Sequence, residues 1–191
     1  MLRRVCVVGS SGSGKTTLAA ELARRLNVPH VELDALRHGP NWTETPDDVM
    51  RAQTLARLDA ADESHGGWVT DGNYSHLRAA LWSRADTVIW LDYALPVILR
   101  RLFQRTLRRT LTREELWNGN RERFLTAFAS RDSLFVWVLQ SYKRRRRDYP
   151  RLLAQPENTH LNVVRLRAPH QARAWLAGLQ REESVTQQPR R

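Results

Sequence analysis

Hydrophobic residues along the chain form short apolar runs, separated by longer segments with helical spacing. Apolar runs of this length, bounded by turn-forming residues, are typical of strands that are buried on both faces. The sequence therefore predicts five strands, which lie at Val5–Val8, Pro29–Leu33, Trp68–Thr70, Asp86–Leu91 and Leu161–Leu166.

Between these runs the sequence predicts helices. In the first of them, behind Lys15, leucine recurs at every fourth residue, a spacing that places side chains on one helix face. A second helix is expected to begin with Thr45 as N-cap and Pro46 at the first helical position, and to end near Glu63. Further helices are predicted over 75–82, from Pro96 to about Leu111, through Leu134–Leu139 as far as the residue before Pro150, and over 169–180.

Strands that alternate with helices indicate a parallel sheet with helices on both faces, a three-layer αβα architecture. The length of 191 residues suits one domain, which we expect over residues 1–181 because no Pro-, Gly- or Ser-rich linker divides it. Residues 182–191 are polar and are expected to form a disordered tail.

The loop after the first predicted strand carries the strongest chemical signal. Gly9–Thr16 matches the pattern G-x-x-x-x-G-K-[ST], in which successive backbone N–H groups wrap around the phosphates of a nucleoside triphosphate. Lys15 places a positive charge at the phosphates, and the Thr16 hydroxyl suits a Mg²⁺ ligand position. A strand before the motif and a helix behind it predict the P-loop NTPase fold, with ATP and Mg²⁺ as ligands. The residues expected to bind the nucleotide are Gly9, Ser10, Ser11, Gly12, Ser13, Gly14, Lys15, Thr16 and Thr17.

Three aspartates follow other predicted strands. Asp34, Asp71 and Asp92 come after the second, third and fourth strands, as Gly9 comes after the first. Because ligands of parallel sheets bind at the carboxyl ends of the strands, we expect these residues near one site. An aspartate at a strand end also serves as a helix cap, and for Asp92 we favour that structural role.

The net charge of +11 has two explanations. Lysine occurs only at Lys15 and Lys143, so the remaining basic residues are arginines, which bind phosphate bidentately and suit a polyphosphate enzyme or a nucleic-acid binder. Replacement of lysine by arginine also follows from codon bias in a GC-rich genome. The total charge therefore does not decide the function, and the positions of individual arginines must.

Other classes of protein are disfavoured by the composition. No stretch has the length of a membrane span and no signal-peptide core is present, so we expect a cytoplasmic protein without membrane contact. Cys6 is a lone cysteine within the first predicted strand and is expected to be a small buried side chain. The six histidines lack metal-ligand spacing, which leaves Mg²⁺ as the expected metal.

The absence of an N-K-x-D motif disfavours a GTPase, and the length and signature segments of a transporter ATPase are absent too. A small kinase remains. Over nearly the whole chain the sequence resembles the adenylate kinase-like, or nucleoside monophosphate kinase, superfamily. Within it the topology modulation (FlaR-like) proteins are the most similar. The resemblance rests on Leu33-Asp34, Pro40-Asn41-Trp42, Asp71-Gly72-Asn73-Tyr74 and Asn118-Gly119-Asn120-Arg121.

The resemblance implies roles for individual residues. Asp71 would hold Mg²⁺ through its water ligands, and Asp34 would orient or deprotonate an acceptor hydroxyl. Arg101 would lie against the adenine and Arg105 on the transferred phosphoryl group. The sequence departs from adenylate kinases at Asn73-Tyr74-Ser75, where those enzymes have Phe-Pro-Arg with the arginine on the monophosphate. This difference argues against AMP as the acceptor.

A short Arg-rich helical lid is expected over about 105–130, and an acceptor-binding helical segment over about 35–65. A lid brings positive charge over the phosphates and excludes water during transfer, although runs of charge are more often solvated helix faces. Three aromatic residues would line an acceptor pocket or pack in the core or in the lid. The lid arginines are Arg105, Arg109, Arg113 and Arg121, with Lys15, Asp34, Asp71, Arg105 and Arg109 as the candidate catalytic residues; the aromatic residues are Trp42, Tyr74 and Trp117.

The sequence thus predicts an ATP-dependent phosphotransferase acting on a nucleotide or another small molecule. The alternative is a nucleic-acid-binding NTPase with a regulatory or DNA-topology role, for which the basic run Lys143–Arg147 is the main support. Five consecutive basic residues on a helix spread over more than one face, which disfavours a groove-binding stripe. The acceptor and the oligomeric state are left open by the sequence.

Overall fold

The computed structural model describes residues 2–112, 114–121 and 134–186. Five strands lie within these residues: β1 Arg4–Gly9, β2 His30–Glu32, β3 Trp68–Asp71, β4 Thr87–Leu91 and β5 Asn162–Leu166. Seven α-helices are described: α1 Lys15–Leu26, α2 Leu33–Arg37, α3 Asp47–His65, α4 Ser75–Trp82, α5 Leu95–Thr112, α6 Leu134–Leu153 and α7 Pro169–Thr186. Short 3₁₀ turns occur at Pro40–Trp42, Trp117–Gly119 and Pro156–Asn158.

All strand pairs are parallel, in the order β2-β3-β1-β4-β5. This confirms the predicted α/β class and the five-stranded parallel sheet. The register pairs Val7 with Asp71, Asp71 with Glu32, and Gly9 with Leu91. The ends of four strands therefore meet at the carboxyl edge of the sheet, where the phosphate loop begins.

Alternation along β1 divides the core into two layers. Val5 and Val7 pack with α1, whereas Cys6 and Val8 pack on the opposite face with Trp68 and other residues. Successive side chains of a strand point to opposite faces, so helices on both sides bury the central strand completely. This burial fixes the strand that carries the phosphate loop.

Burial also raises the pKa of the Cys6 thiol far above its usual range, so the thiol stays protonated.

Several predicted boundaries were wrong. The second strand ends at Glu32, and α2 follows at once, so Asp34 lies in the first turn of a helix rather than at a strand end. Helix α3 begins at Asp47 with Pro46 as N-cap, and the Thr45 side chain makes no cap. Helix α7 continues beyond 180 to Thr186. The prediction of a disordered tail is therefore wrong for residues 182–186, which are helical, and residues 187–191 lie outside the described part of the chain.

Helix α6 does not stop before Pro150 but runs through it to Leu153. Proline removes one backbone hydrogen bond and costs about 3 kcal/mol inside a helix. Tyr149 before it is buried in the core, and Leu152 and Leu153 after it pack against the same cluster. Burial on both sides of Pro150 outweighs the lost hydrogen bond.

No helix in the described residues combines the length and apolar character that crossing a membrane requires.

Candidate functional site

The loop between β1 and α1 curls because its glycines take conformations that other residues avoid. Gly9, Gly12 and Gly14 have φ of 149°, 83° and 91°. A Cβ on Gly9 would lie 2.7 Å from the carbonyl oxygen of Leu91, and a Cβ on Gly12 would lie 2.9 Å from that of Ile98. The loop is therefore packed tightly against β4 and α5. The residues match a phosphate cradle in shape and donor type.

Two groups in the loop are buried without a strong partner. Ser13 Oγ is buried and has no hydrogen-bond partner among the described residues. Lys15 is buried, and within residues 2–112, 114–121 and 134–186 its Nζ donates one long bond, of 3.4 Å, to the carbonyl oxygen of Ser10. Burial lowers the pKa of Lys15, while the charges of Asp34 and Asp71 act to raise it. A buried ammonium and a buried hydroxyl at a helix start fit the phosphates of a nucleotide.

Thr16, Asp71 and His30 form a chain of hydrogen bonds at the start of α1. Thr16 Oγ1 donates to Asp71 Oδ2 over 2.8 Å, and His30 Nε2 lies 2.8 Å from Asp71 Oδ1. Asp71 is almost fully buried, so both of its oxygens have fixed partners. The predicted pair of Thr16 and Asp71 is thus brought together. His30 was missed by the sequence analysis, since its place depends on the pairing of β2 with β3.

A hydroxyl and a carboxylate in contact suit a Mg²⁺ ion that keeps most of its ligands as water and phosphate oxygens. Among the described residues, no group of three or more His, Cys, Asp or Glu side chains is arranged to hold a metal. The chemistry of Thr16 and Asp71 therefore fits Mg²⁺ bound together with a nucleotide rather than by the protein alone.

Two further carboxylates lie beside this pair, at the end of β2. Asp34 Oδ1 accepts a hydrogen bond of 2.7 Å from the Tyr74 hydroxyl. Burial raises the pKa of Glu32, and a hydrogen bond from the Trp117 side chain partly offsets this effect. Asp34 had been predicted for this region, and Glu32 had not. Glu32 is the last residue of a strand and belongs to no motif, so the sequence alone does not indicate that it lies at the site.

The predicted acceptor segment and the predicted lid touch each other. Asn120 is buried; its Oδ1 accepts from the Trp42 N–H over 2.9 Å, and its Nδ2 donates to the Gly39 carbonyl oxygen over 2.9 Å. The His38 ring stacks on Trp117 with centroids 5.7 Å apart and meets Trp42 edge-on at 5.4 Å. We call the turns Pro40–Trp42 and Trp117–Asn120, with His38 and Gly39, the closing contact.

The predicted lid arginines have different surroundings. Arg101 lies against the phosphate loop, because a Cβ on Gly14 would lie 2.8 Å from its Nη2. The charge of Arg105 acts on Lys15 and contributes to its lowered pKa. Arg109 Nε lies 3.4 Å from Glu114, and Arg121 forms an exposed pair of 3.7 Å with Glu115. Arg113 and residues 122–130 of the predicted lid lie outside the described residues.

Asp92 has a structural place. Its Oδ2 accepts two bonds from Arg165 on β5, over 3.0 and 2.6 Å, and its Oδ1 lies 3.0 Å from Arg146 Nε. The Asp92 side chain is only 1% exposed, so these contacts tie β4, β5 and α6 together. A structural role for Asp92, which the sequence analysis favoured, agrees with this geometry. In the described part of the chain, however, Asp92 pairs with arginines and does not cap a helix.

The basic run Lys143–Arg147 is divided among several environments. Arg145 is 8% exposed; its Nη1 donates to Ser141 Oγ over 3.0 Å, and its guanidinium lies 4.6 Å from the centre of the Trp137 ring. Burial lowers the pKa of Arg145, whose charge in turn acts on Lys15. Arg146 pairs with Asp92 and Arg147 with Asp148. The run therefore does not present one exposed basic face.

Arg145 is the main residue that sequence reasoning missed. It was hidden in a run of five basic residues, where only the helical phase distinguishes the one that faces inward. The spacing of four between Ser141, Arg145 and Tyr149 predicts that they share one helix face. Only the structure shows that this face is the buried one.

Comparisons with known proteins agree with this architecture. Residues 5–123, more than half of the chain, match the profile of a family described as AAA domain. No curated protein matches the sequence. The structure is similar to that of a sugar kinase from Janibacter sp. HTCC2649, with a TM-score of 0.53 and 22% identity over 94% of this chain and 95% of that one.

It is also similar to shikimate kinase from Acinetobacter baumannii in complex with shikimate, with a TM-score of 0.54 and 13% identity over 99% of this chain and 97% of that one. At these identities the likeness shows the fold alone. That fold is the one found in P-loop kinases.

Proposed function

The chain belongs to the AAA domain family, and we propose that it is a P-loop kinase, which transfers the γ-phosphoryl group of MgATP to a small molecule. The observation that carries this proposal is the hydrogen bond of 2.8 Å between Thr16 and Asp71 beside the buried Lys15. The three side chains combine a cation for the phosphates with oxygen ligands for Mg²⁺. When bound, Mg²⁺ would neutralise charge that develops on the phosphate oxygens.

Cations from three elements converge on the loop. Lys15 begins α1, Arg105 lies on α5 and Arg145 lies on α6; the charges of both arginines contribute to the lowered pKa of Lys15. Positive charges that are close enough to disfavour one another are stabilised when a polyphosphate enters between them. We assign Lys15, Arg105 and Arg145 to the nucleotide and to the transferred group. Arg101, which lies against Gly14, is assigned to the nucleotide.

Asp34 is assigned to the acceptor. Its carboxylate already accepts a hydrogen bond from the Tyr74 hydroxyl, so it can accept another from the hydroxyl of an acceptor and orient or deprotonate it. The charge of Asp34 also reaches Lys15, which supports its place close to the phosphates. Asp71, whose oxygens face Thr16 and His30, is assigned to Mg²⁺ instead.

The acceptor end favours a hydroxylated molecule over a nucleoside monophosphate. Arg37 is paired with Asp47 at 2.7 Å and also with Glu44, so its charge is compensated inside the protein. Asp34 adds negative charge at the same end, where a phosphate dianion would be repelled. Hydroxyl groups donate well to carboxylates and aromatic rings cover the apolar face of such molecules. In this proposal the resemblance to the adenylate kinase-like superfamily applies to the residues that bind the nucleotide, and not to those that bind the acceptor.

The experiment is a screen of ADP formation from MgATP with panels of sugars, polyols, hydroxy acids, nucleosides and nucleoside monophosphates. We expect a hydroxylated compound to stimulate ADP formation, and Asp34→Asn to reduce this stimulation while MgATP binding persists. Duplex DNA is included as a further ligand. Tight DNA binding at physiological salt, with no compound stimulating ADP formation, would refute the kinase in favour of a nucleic-acid protein.

A further inference from the structure

The side-chain amide of Asn73 forms two hydrogen bonds with the backbone of Gly9, the first glycine of the phosphate loop. Its Nδ2 donates to the Gly9 carbonyl oxygen over 2.7 Å, and its Oδ1 accepts from the Gly9 N–H over 3.1 Å. Gly9 is the last residue of β1, and its φ of 149° is a conformation that favours glycine. The two bonds therefore fix the peptide at which β1 turns into the phosphate loop.

A third bond joins Asn73 to helix α6. The Tyr149 hydroxyl donates to Asn73 Oδ1 over 3.0 Å. The Tyr149 ring is held edge-on against Trp90 and Trp82, with centroid distances of 5.4 and 6.2 Å. Burial raises the pKa of Tyr149, so the hydroxyl remains a donor at neutral pH. Asn73 is thereby the point at which β3, the phosphate loop and α6 meet.

Arg145 lies one helical turn before Tyr149 on the same buried side of α6. Among the described residues its guanidinium donates to Ser141 on the same helix, and no residue of the phosphate loop holds it directly. The position of Arg145 relative to Lys15 thus depends on how α6 is docked. Two polar contacts contribute to that docking: the pair of Arg146 with Asp92 on the exposed side, and the bond from Tyr149, next to Arg145 on the buried side, to Asn73.

We propose that Asn73 is a positioning residue that holds the Gly9 peptide for phosphate binding and, through Tyr149, sets Arg145 against the phosphate loop. This rests on the proposed function in that Arg145 is taken to face bound phosphate. The consequence is a coupling between Tyr149 and Arg145, because the Tyr149 hydroxyl matters to the nucleotide only through the guanidinium that it positions. Asn73 acts additionally through Gly9, independently of Arg145.

The test measures MgATP affinity by calorimetry, together with thermal unfolding, for the full chain. Asn73→Ala should bind MgATP about tenfold more weakly, because it loses both hydrogen bonds to Gly9 and the one from Tyr149. Tyr149→Phe keeps the ring and removes one hydroxyl, and should weaken binding about threefold. The matched control is Tyr142→Phe, which removes an exposed-side hydroxyl bonded to Arg146 on the same helix and should leave affinity unchanged.

The double-mutant cycle decides between positioning and general stability. In an Arg145→Ala background, Tyr149→Phe should cause no further loss of affinity, since the group that it positions is gone. An equal loss in both backgrounds, or a lowered Tm with unchanged affinity, would overturn the proposal. If Asn73→Ala fails to fold, the Tyr149→Phe cycle still gives the answer.

The binding assay also separates this inference from the proposed kinase. If no acceptor stimulates ADP formation but the wild-type protein binds MgATP, the kinase proposal fails and the cycle remains decisive for Asn73. A wild-type protein that does not bind MgATP would overturn both.

Discussion

The phosphate loop and the closing contact are built in opposite ways. The loop takes its shape from consecutive residues, Gly9–Thr16, whose backbone curls and presents its own N–H groups. The closing contact joins side chains and backbone that are 78 to 81 positions apart in the sequence, through Asn118 and Asn120 on one side and His38, Gly39 and Trp42 on the other.

This difference teaches where each part of the function is encoded. A backbone cradle binds any phosphate chain and tolerates little change, because a side chain on Gly9 or Gly12 would collide with neighbouring backbone. A pocket made of separate side chains can change its acceptor by substitution without disturbing the loop. We therefore expect variants of the loop to abolish turnover generally, and variants of the closing contact to act on the acceptor alone.

The largest effect is expected for Lys15→Ala, which removes the buried ammonium from the phosphate loop. Turnover of MgATP should fall about a thousandfold, because the charge acts where the transferred group becomes more negative. The fold should survive, as burial of the ammonium is unfavourable in the free protein. Lys143→Ala is the matched control, since Lys143 is the other lysine of the chain and is exposed. Equal turnover in the two variants would contradict the assignment.

The next comparison separates the two aspartates. Asp71→Asn should raise the Mg²⁺ concentration needed for half-maximal turnover about tenfold, because a neutral amide holds hydrated Mg²⁺ poorly. Asp34→Asn should lower kcat for the acceptor about a hundredfold with MgATP affinity nearly intact. Titrations of Mg²⁺ and of MgATP check both expectations. Matching losses of MgATP affinity in the two variants would show that the division of roles is wrong.

A smaller effect is expected at the closing contact. Asn120→Ala removes the bonds to Trp42 and Gly39, and should raise the KM for the acceptor about tenfold while the KM for MgATP changes little. Asn158→Ala is a suitable control, because Asn158 is also buried and bonds a backbone carbonyl, that of Leu152, within another part of the fold. It should lower Tm and leave both KM values unchanged. A parallel rise of both KM values in Asn120→Ala would break the comparison.

The smallest effect concerns the pH dependence of stability. Burial raises the folded-state pKa of Glu32 above its ordinary value of 4.5, so the carboxyl stabilises the fold most when protonated, and this contribution is lost as pH rises through the raised pKa. Glu32→Gln keeps an oxygen that can accept from Trp117 but does not ionise. The difference in Tm between variant and wild type should therefore become more positive as pH rises from the ordinary pKa of 4.5 through the raised pKa of Glu32. A difference that is independent of pH would contradict the raised pKa of the half-buried Glu32.

The sequence revealed the residues whose role depends on local spacing. Gly9–Thr16 follows from a motif, and the alternation of strands and helices follows from periodicity, although α2 was not among the predicted helices. Asp71 was expected near Thr16 because both follow strands of one parallel sheet, and the structure brings the two side chains together. Arg145 was treated only as part of the basic run Lys143–Arg147, the main support for a nucleic-acid partner, because its burial depends on how α6 docks, a non-local fact. His30 depends likewise on the pairing of β2 with β3. Helix α6 passes Pro150 because of tertiary burial, which local helix rules do not contain.

The acceptor side shows the same limit. Trp42, Tyr74 and Trp117 were recognised as candidates for a pocket or for packing, and the sequence offered no means of choosing. In the structure the Tyr74 hydroxyl donates to Asp34, and the Trp117 side chain donates to Glu32. Tyr74 and Trp117 therefore lie beside the two carboxylates next to the phosphate loop. Glu32 itself lacked any motif.

The most direct measurement of the central claim follows the terminal phosphoryl group itself. The protein is incubated with ATP labelled at the γ-phosphate, Mg²⁺ and a pool of small hydroxylated metabolites, and the labelled products are separated and identified by mass spectrometry. We predict a labelled organic phosphate monoester that the wild type and Lys143→Ala form at similar rates, and that Asp34→Asn and Lys15→Ala form about a hundredfold and about a thousandfold more slowly. Label that appears only as inorganic phosphate, in amounts that no metabolite changes, would contradict the assignment of this protein as a small-molecule kinase.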